Sequence, residues 1–137
     1  MIVVDANVVP GALRSRNGAS HAVLRGLLTR RFSFALSPAM VLEYEDVLKR
    51  PGLLGPTPWI DEAGIDTILD ALCATAVLTL PRFRFRPFLD DPKDDLYVEC
   101  ALAAGAELIL THDRHFRKPV LLAFGLQAMT PQAYLTR

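Results

Sequence analysis

Short apolar runs alternate with longer stretches of helical periodicity along this chain. Five apolar runs are typical of strands: residues 1–5, 32–36, 76–80, 107–111 and 126–130. Between them, apolar residues recur at three- and four-residue spacing and predict helices: residues 19–31, 37–50, 61–75, 91–105 and 132–135. This alternation is typical of β-α units around a parallel sheet. We expect a three-layer α/β/α sandwich with a central parallel sheet of about five strands, formed by residues 1–137 as a single domain.

The predicted helix starts carry capping residues. Ser37 precedes a proline, which gives an N-cap and a proline at the first helical position. Asp91 also precedes a proline, and Asp94 follows three residues later, as in a capping box. Residues 51–58 contain three prolines and two glycines and therefore predict a loop.

Composition supports a folded protein. Of the 137 residues, 51% are hydrophobic, which argues against disorder. Cys73 and Cys100 stand apart within apolar helical patterns, so we interpret them as small core residues and not as a disulfide or metal site. There is no apolar stretch long enough to span a bilayer and no secretion signal, so we expect a cytoplasmic protein without a membrane partner.

The overall charge gives little support to nucleic-acid binding. The 15 basic and 15 acidic side chains cancel, and strongly binding proteins are usually basic. If four acidic groups held metal, however, 15 basic side chains would face 11 acidic ones, a balance of +4. The zero net charge therefore weakens a nucleic-acid function without excluding it.

Four carboxylates fall where an α/β protein brings side chains to the carboxyl edge of its sheet. Asp5 ends the first predicted strand and Asp113 follows the fourth, while Glu43 and Asp95 lie near the starts of two predicted helices. Acidic groups that converge in this way repel one another and need a cation to ionise together. Hard ions such as Mg²⁺ or Mn²⁺ prefer oxygen ligands. The pattern indicates metal-assisted phosphodiester chemistry.

Two of these positions have competitors. Glu43 and Glu45 flank the apolar helix face centred near Tyr44 about equally, so periodicity does not choose between them. Asp94 suits the capping box, which leaves its neighbour Asp95 without a structural role and makes Asp95 a candidate site residue, with Asp94 as the adjacent alternative.

Further polar residues surround this pattern. Asn7 is placed to hold a metal-bound water or to orient Asp5. Arg82, Arg84 and Arg86 alternate with phenylalanines. That segment is either an edge with inward aromatic rings or a strip of arginines that contacts RNA phosphates.

Taken in order, the motifs resemble those of PIN-domain ribonucleases, and in particular the toxins of bacterial toxin–antitoxin pairs. The resemblance covers essentially the whole chain. It rests on four segments: Val4-Asp5-Ala-Asn7-Val8, Ser37-Pro-Ala-Met-Val-Leu-Glu43, Asp91-Pro-Lys-Asp-Asp95 with the following helix to Gly105, and Leu108-Ile-Leu-Thr111-His-Asp113.

The resemblance implies a Mg²⁺- or Mn²⁺-dependent endoribonuclease that forms homodimers and is silenced by a cognate antitoxin protein. It favours Glu43 over Glu45 and makes Asn7 and Thr111 supporting polar residues. The catalytic and metal-binding quartet it implies is Asp5, Glu43, Asp95 and Asp113. The alternative is a catalytically silent PIN-like module that binds RNA or protein, against which four mutually repelling acids argue.

Overall fold

The sheet is parallel, with β1 at its centre. The computed structural model describes residues 1–82, 92–116 and 119–137. Within these residues lie five strands: β1 Ile2–Val4, β2 Ala35–Leu36, β3 Val77–Leu78, β4 Leu108–Leu110 and β5 Gln127–Met129. β1, β4 and β5 form one parallel group and β2 and β3 another. A parallel bridge between Ile2 and Phe34 joins the two groups, which gives the order β3-β2-β1-β4-β5.

Each strand is shorter than the apolar run that predicted it, and burial differs between the centre and the edge. Val3 pairs with Ile109 across β1 and β4, and both side chains are fully buried. In β3, by contrast, Val77 is 45% exposed and Leu78 is 66% exposed. Continuous burial, expected for strands covered on both faces, therefore holds for the central strands and fails at this edge.

Helices flank the sheet as predicted. Their bounds are α1 Val8–Arg14, α2 Ala19–Leu28, α3 Pro38–Leu48, α4 Glu62–Thr75, α5 Pro92–Ala104, α6 Pro119–Ala123 and α7 Pro131–Thr136, with a 3₁₀ turn at Arg114–Phe116. Helix α5 packs on β1, β2 and β4, whereas α2 packs against α1, α4 and α7. The three-layer α/β/α fold is confirmed, with a small sheet. Across the described ranges, none of the helices has the length and hydropathy to cross a bilayer.

The helix caps follow the sequence. Ser37 Oγ accepts a hydrogen bond from the Met40 backbone N–H at 3.2 Å and so caps α3, as predicted. Asp61 caps α4 in the same way, through the Gly64 N–H at 2.8 Å. The cap predicted at Asp91 lies outside the described residues.

Two helices, α1 and α6, were not predicted. In α1, Pro10 and Gly11 both disfavour a helix interior. Pro10 lies in the first turn, however, where a backbone N–H has no intrahelical partner, so its missing donor costs little. Burial of Val9 and Leu13, together with packing on α2, then stabilises the helix.

The described cysteines are both free thiols, as expected. Cys100 on α5 is fully buried, and Cys73 on α4 packs partly buried against the core.

Candidate active site

A cleft of about 530 Å³ opens where β1 and β4 end. This is the edge of an open parallel sheet at which ligands are expected. Among the described residues, carboxylates on its wall come from four separate parts of the chain: Asp5, Glu43, Asp94 and Asp113. The described basic side chains on the same wall are Arg14, Arg50 and Lys93. The cleft therefore combines an acidic group with cationic neighbours.

Asp5 is the most deeply set of the cleft carboxylates that were predicted. Its side chain is only 6% exposed, and Thr111 Oγ1 donates to Asp5 Oδ2 at 2.7 Å. The backbone N–H of Asn7 donates to Oδ1 at 3.4 Å. Burial raises the pKa of the Asp5 carboxyl above its ordinary value, and the Asp113 carboxylate raises it further, although the hydrogen bonds from Thr111 and Asn7 oppose the shift. The Asp5 and Asp113 carboxylates are therefore close enough to interact electrostatically.

Thr111 joins the loops that follow β1 and β4. Its hydroxyl, besides donating to Asp5, accepts from Asn7 Nδ2 at 3.4 Å and from the Asp113 backbone N–H at 2.9 Å. One donor and two acceptor positions are all that a hydroxyl offers, so the group is fully used. Asn7 Oδ1 also accepts from the His112 backbone N–H at 3.2 Å. Asn7 and Thr111 are thus placed to orient the acidic side chains around them.

Two buried tyrosines hold the backbone on either side of Asp5. The Tyr44 hydroxyl donates to the Val4 carbonyl, and the Ala6 N–H donates to the Tyr97 hydroxyl oxygen at 3.1 Å. Burial raises the pKa of both phenols, with the Asp5 carboxylate adding to the shift. Both hydroxyls therefore stay neutral and act as hydrogen-bonding groups. Sequence reasoning treated Tyr44 as a core residue and missed Tyr97, although a buried tyrosine usually needs a partner for its hydroxyl.

The structure separates Glu43 from Glu45. Glu43 lies on the cleft wall, and its charge contributes, after burial and Asp5, to the raised pKa of Tyr97. Glu45 instead accepts from Lys49 Nζ at 3.3 Å, and the same Lys49 ammonium pairs with Asp66 at 2.7 Å.

Asp94 and Asp95 also take different positions, both in the first turn of α5. Asp94 is on the cleft wall and is among the charges that raise the pKa of Tyr97, for which burial is the largest cause. Asp95 is 1% exposed and is not among the residues that line the cleft. The structure thus brings Asp94 into one cleft with three of the predicted carboxylates and leaves Asp95 buried outside its wall.

Only Arg82 of the predicted arginine strip lies within the described residues. Arg82 is exposed and does not line the cleft, and Arg84 and Arg86 lie outside the described residues. Within residues 1–82, 92–116 and 119–137, the arginines on the wall are Arg14 and Arg50, whose placement the sequence alone did not indicate.

The chemistry of the cleft fits a hard divalent cation, because its acidic groups offer oxygen ligands only. In the part of the chain that the structure describes, no group of three Asp, Glu, His or Cys side chains forms a complete ion site. The described carboxylates share the wall of the cleft without forming a coordination shell. The carboxylate oxygens are therefore the right kind of ligand for a divalent ion, although the side chains are not arranged around one point.

Comparison with known families agrees with the fold. A family model described as PIN domain matches residues 1–115, and no curated protein matches the chain. PIN domains are generally metal-dependent nucleases, so the match also supports the predicted class of chemistry. The matched residues include all of the acidic positions discussed above and make up most of the chain. The protein therefore belongs to the PIN domain family.

Proposed function

We propose that this protein is a Mg²⁺- or Mn²⁺-dependent endoribonuclease that acts in the cytoplasm. The observation that carries the proposal is the shared cleft, which gathers Asp5, Glu43, Asp94 and Asp113 at the carboxyl edge of a parallel sheet. A bound divalent ion would supply activation of a water and charge stabilisation at the scissile phosphate.

The chain itself prepares this site in three ways. Asp5 presents a carboxylate whose direction is set by Thr111, and Asp113 lies close enough to influence its pKa. Tyr44 and Tyr97 hold the backbone around Asp5, so that its position does not depend on a flexible loop.

The third carboxylate comes from the pair Asp94 and Asp95. The resemblance to PIN ribonucleases implied Asp95, whereas the cleft wall favours Asp94. Glu43 is preferred over Glu45 both by the resemblance and by its place on the wall.

We further propose that the protein is the toxin of a toxin–antitoxin pair, that it forms a homodimer, and that a cognate antitoxin protein silences it. Support for this assignment is the resemblance to such toxins. A short neighbouring reading frame that encodes a DNA-binding or disordered acidic partner would strengthen it.

The central test is cleavage of RNA by the purified protein with Mg²⁺, with Mn²⁺ and with a chelator. We expect cleavage only with metal, and a loss of about 100-fold or more in Asp5→Asn, because that change removes a charged ligand oxygen. Asp70→Asn is a matched control, since Asp70 is an exposed carboxylate on α4 that does not line the cleft.

Equal cleavage by Asp5→Asn and wild type would exclude Asp5 from catalysis. If wild type binds RNA but no metal supports cleavage, the protein is a catalytically silent PIN-like binding module.

A further inference from the structure

Trp59 is the only tryptophan of the chain, and it is unusually exposed. Its side chain is 59% exposed, whereas tryptophan is normally among the more buried residues. Its indole N–H donates to the Leu13 carbonyl at 2.6 Å, near the end of α1. This bond engages one edge of the ring and fixes its position, while most of the aromatic surface faces solvent.

One cationic side chain lies over this ring, and a second is bonded to the adjoining loop. The Arg16 guanidinium carbon lies 5.5 Å from the ring centroid, over the indole face. Arg14, next to the residue that holds the indole N–H, lines the cleft and donates to the Leu53 carbonyl at 3.3 Å. Leu53 also lines the cleft, so the loop that carries Trp59 is attached to the cleft wall.

Helix α1 connects the position of Trp59 with the proposed active site. Helix α1 starts at Val8, directly after the Asp5–Asn7 turn, and ends at Arg14. At a rise of about 1.5 Å per residue, Leu13 lies roughly 8 Å along the helix from its start. A nucleic-acid strand lying in the cleft would therefore reach the indole within a few nucleotides.

We propose that Trp59 stacks against an unpaired base of single-stranded RNA while Arg14 and Arg16 contact the adjoining phosphates. The inference rests on the proposed function, because RNA is the substrate proposed there, and it adds a substrate-binding subsite to it. Aromatic rings interleaved with cations are the usual means of holding single-stranded nucleic acid without regard to its sequence.

The charge around the ring favours RNA over a protein partner. Arg16 lies over the indole ring, and Arg14 lines the cleft that also carries the carboxylates. Arg50 lines the same cleft, although its guanidinium pairs with Asp46 at 2.7 Å. A strand with phosphates for the arginines and a base for the indole satisfies both the charge and the exposed aromatic surface. A purely structural role would need only the N–H bond to Leu13 and leaves the exposed ring unexplained.

The first test uses the intrinsic fluorescence of Trp59, which is unambiguous because the chain has one tryptophan. Wild-type protein in EDTA, where RNA is not cut, is titrated with a single-stranded oligoribonucleotide and with an abasic strand of the same length. We expect saturable quenching by the RNA and weak or no quenching by the abasic strand. Absence of quenching by RNA, or equal binding of both strands, would overturn the proposal.

The second test separates the ring from its hydrogen bond. Trp59→Phe and Trp59→Leu both lose the indole N–H, but only Phe keeps an aromatic face. With a fluorescently labelled RNA in EDTA, anisotropy should show Trp59→Leu binding about 10-fold more weakly than wild type, with Trp59→Phe within about 3-fold. Equal affinities for Phe and Leu would reject stacking, and circular dichroism checks that both variants fold.

These outcomes are independent of the nuclease proposal. RNA binding that depends on an aromatic residue 59, in a protein that cleaves nothing, would keep the subsite and remove the enzyme. If Trp59→Leu cleaves and binds RNA as well as wild type does, the nuclease proposal stands and the Trp59 subsite is rejected. Quenching by an isolated antitoxin protein, with none by RNA, would assign the surface to the protein partner instead.

Discussion

The Asp5 carboxyl group is buried, so its protonation makes the stability of the folded protein depend on pH. Its pKa in the folded protein lies above the ordinary value of 3.8, chiefly because of burial. A carboxyl group shifted in this direction favours the folded state while it is protonated, and that contribution is lost as the pH rises through the folded pKa. We predict that, without metal, the stability of wild type relative to Asp5→Asn falls as the pH rises from about 4 towards neutrality.

Denaturant unfolding of both proteins in EDTA across this pH range provides the measurement. Adding Mg²⁺ at neutral pH should then raise the stability of wild type more than that of Asp5→Asn, because the ion binds the ionised carboxylates of the folded state. A relative stability that does not change with pH would show that Asp5 titrates normally.

The neighbours Asp94 and Asp95 allow a second prediction. Asp94→Asn should lower metal-dependent cleavage by about 100-fold, since Asp94 lines the cleft. Asp95→Asn should act mainly on thermal stability, since Asp95 is 1% exposed and does not line the cleft. Cleavage rates and melting temperatures of the two variants, measured side by side, test this. The opposite pattern would return the role to Asp95, as the resemblance implied.

At this scale, the sequence predicts which kinds of residue form the site but not always which of two neighbours. Glu43 and Glu45 flank the same helix face, but Glu45 stands four residues before Lys49, a spacing that predicts the ion pair observed in the structure. Capping rules pointed to Asp95, because they assigned Asp94 to the capping box. These rules describe hydrogen bonds at a helix start and contain no information about which side chain faces a distant strand. Trp59 gave no signal beyond being one aromatic residue after a proline-rich loop.

Among the elements, strands and long helices were predictable because buried strands and amphipathic helices have distinct apolar periods. Helix α1 was not, because Pro10 and Gly11 hide a helix that tertiary packing on α2 stabilises. The exposure of β3 was also not predictable, since an edge strand and a central strand can both be short apolar runs.

Two glycines within helices give opposite predictions for the same substitution. A Cβ at Gly26 in α2 would lie 2.2 Å from the Phe32 ring, which is held edge-to-face against Tyr134 at 5.1 Å between centroids. Gly26→Ala should therefore destabilise the protein by about 1–3 kcal/mol through overpacking. A Cβ at Gly11 in α1 would be 3.5 Å from Ser20, an ordinary contact, so Gly11→Ala should stabilise by up to about 1 kcal/mol.

Urea unfolding of the two variants beside wild type measures both effects. A stabilised Gly26→Ala would mean that Phe32 can move aside, and that its packing on Tyr134 contributes little.

For the whole molecule, the proposed homodimer needs an apolar contact surface. On α6, Leu122 is 69% exposed and Val120 is 37% exposed, beside an apolar hollow of about 220 Å³. Exposed apolar groups next to such a hollow are typical of interaction sites. We predict that wild type has twice its 15.1 kDa chain mass in solution and that Leu122→Glu is monomeric.

Leu42→Glu on α3 is the matched control, because Leu42 is 67% exposed but lies on a different element. Light scattering after size exclusion compares the three proteins. A monomeric wild type would rule out the dimer, and dissociation by Leu42→Glu alone would move the interface to α3.

The partner of the central strand β1 is β4, and the two are separated by about one hundred residues of chain. During synthesis Asp5 leaves the ribosome early, whereas Thr111 and Asp113 follow roughly 5 to 20 s later at ordinary elongation rates. Until then the hydroxyl that aims the Asp5 carboxylate does not exist, and the first strand has no neighbour on that side. On the proposed function, a nascent or prematurely terminated product that lacks β4 and Asp113 would leave the RNA being translated uncut.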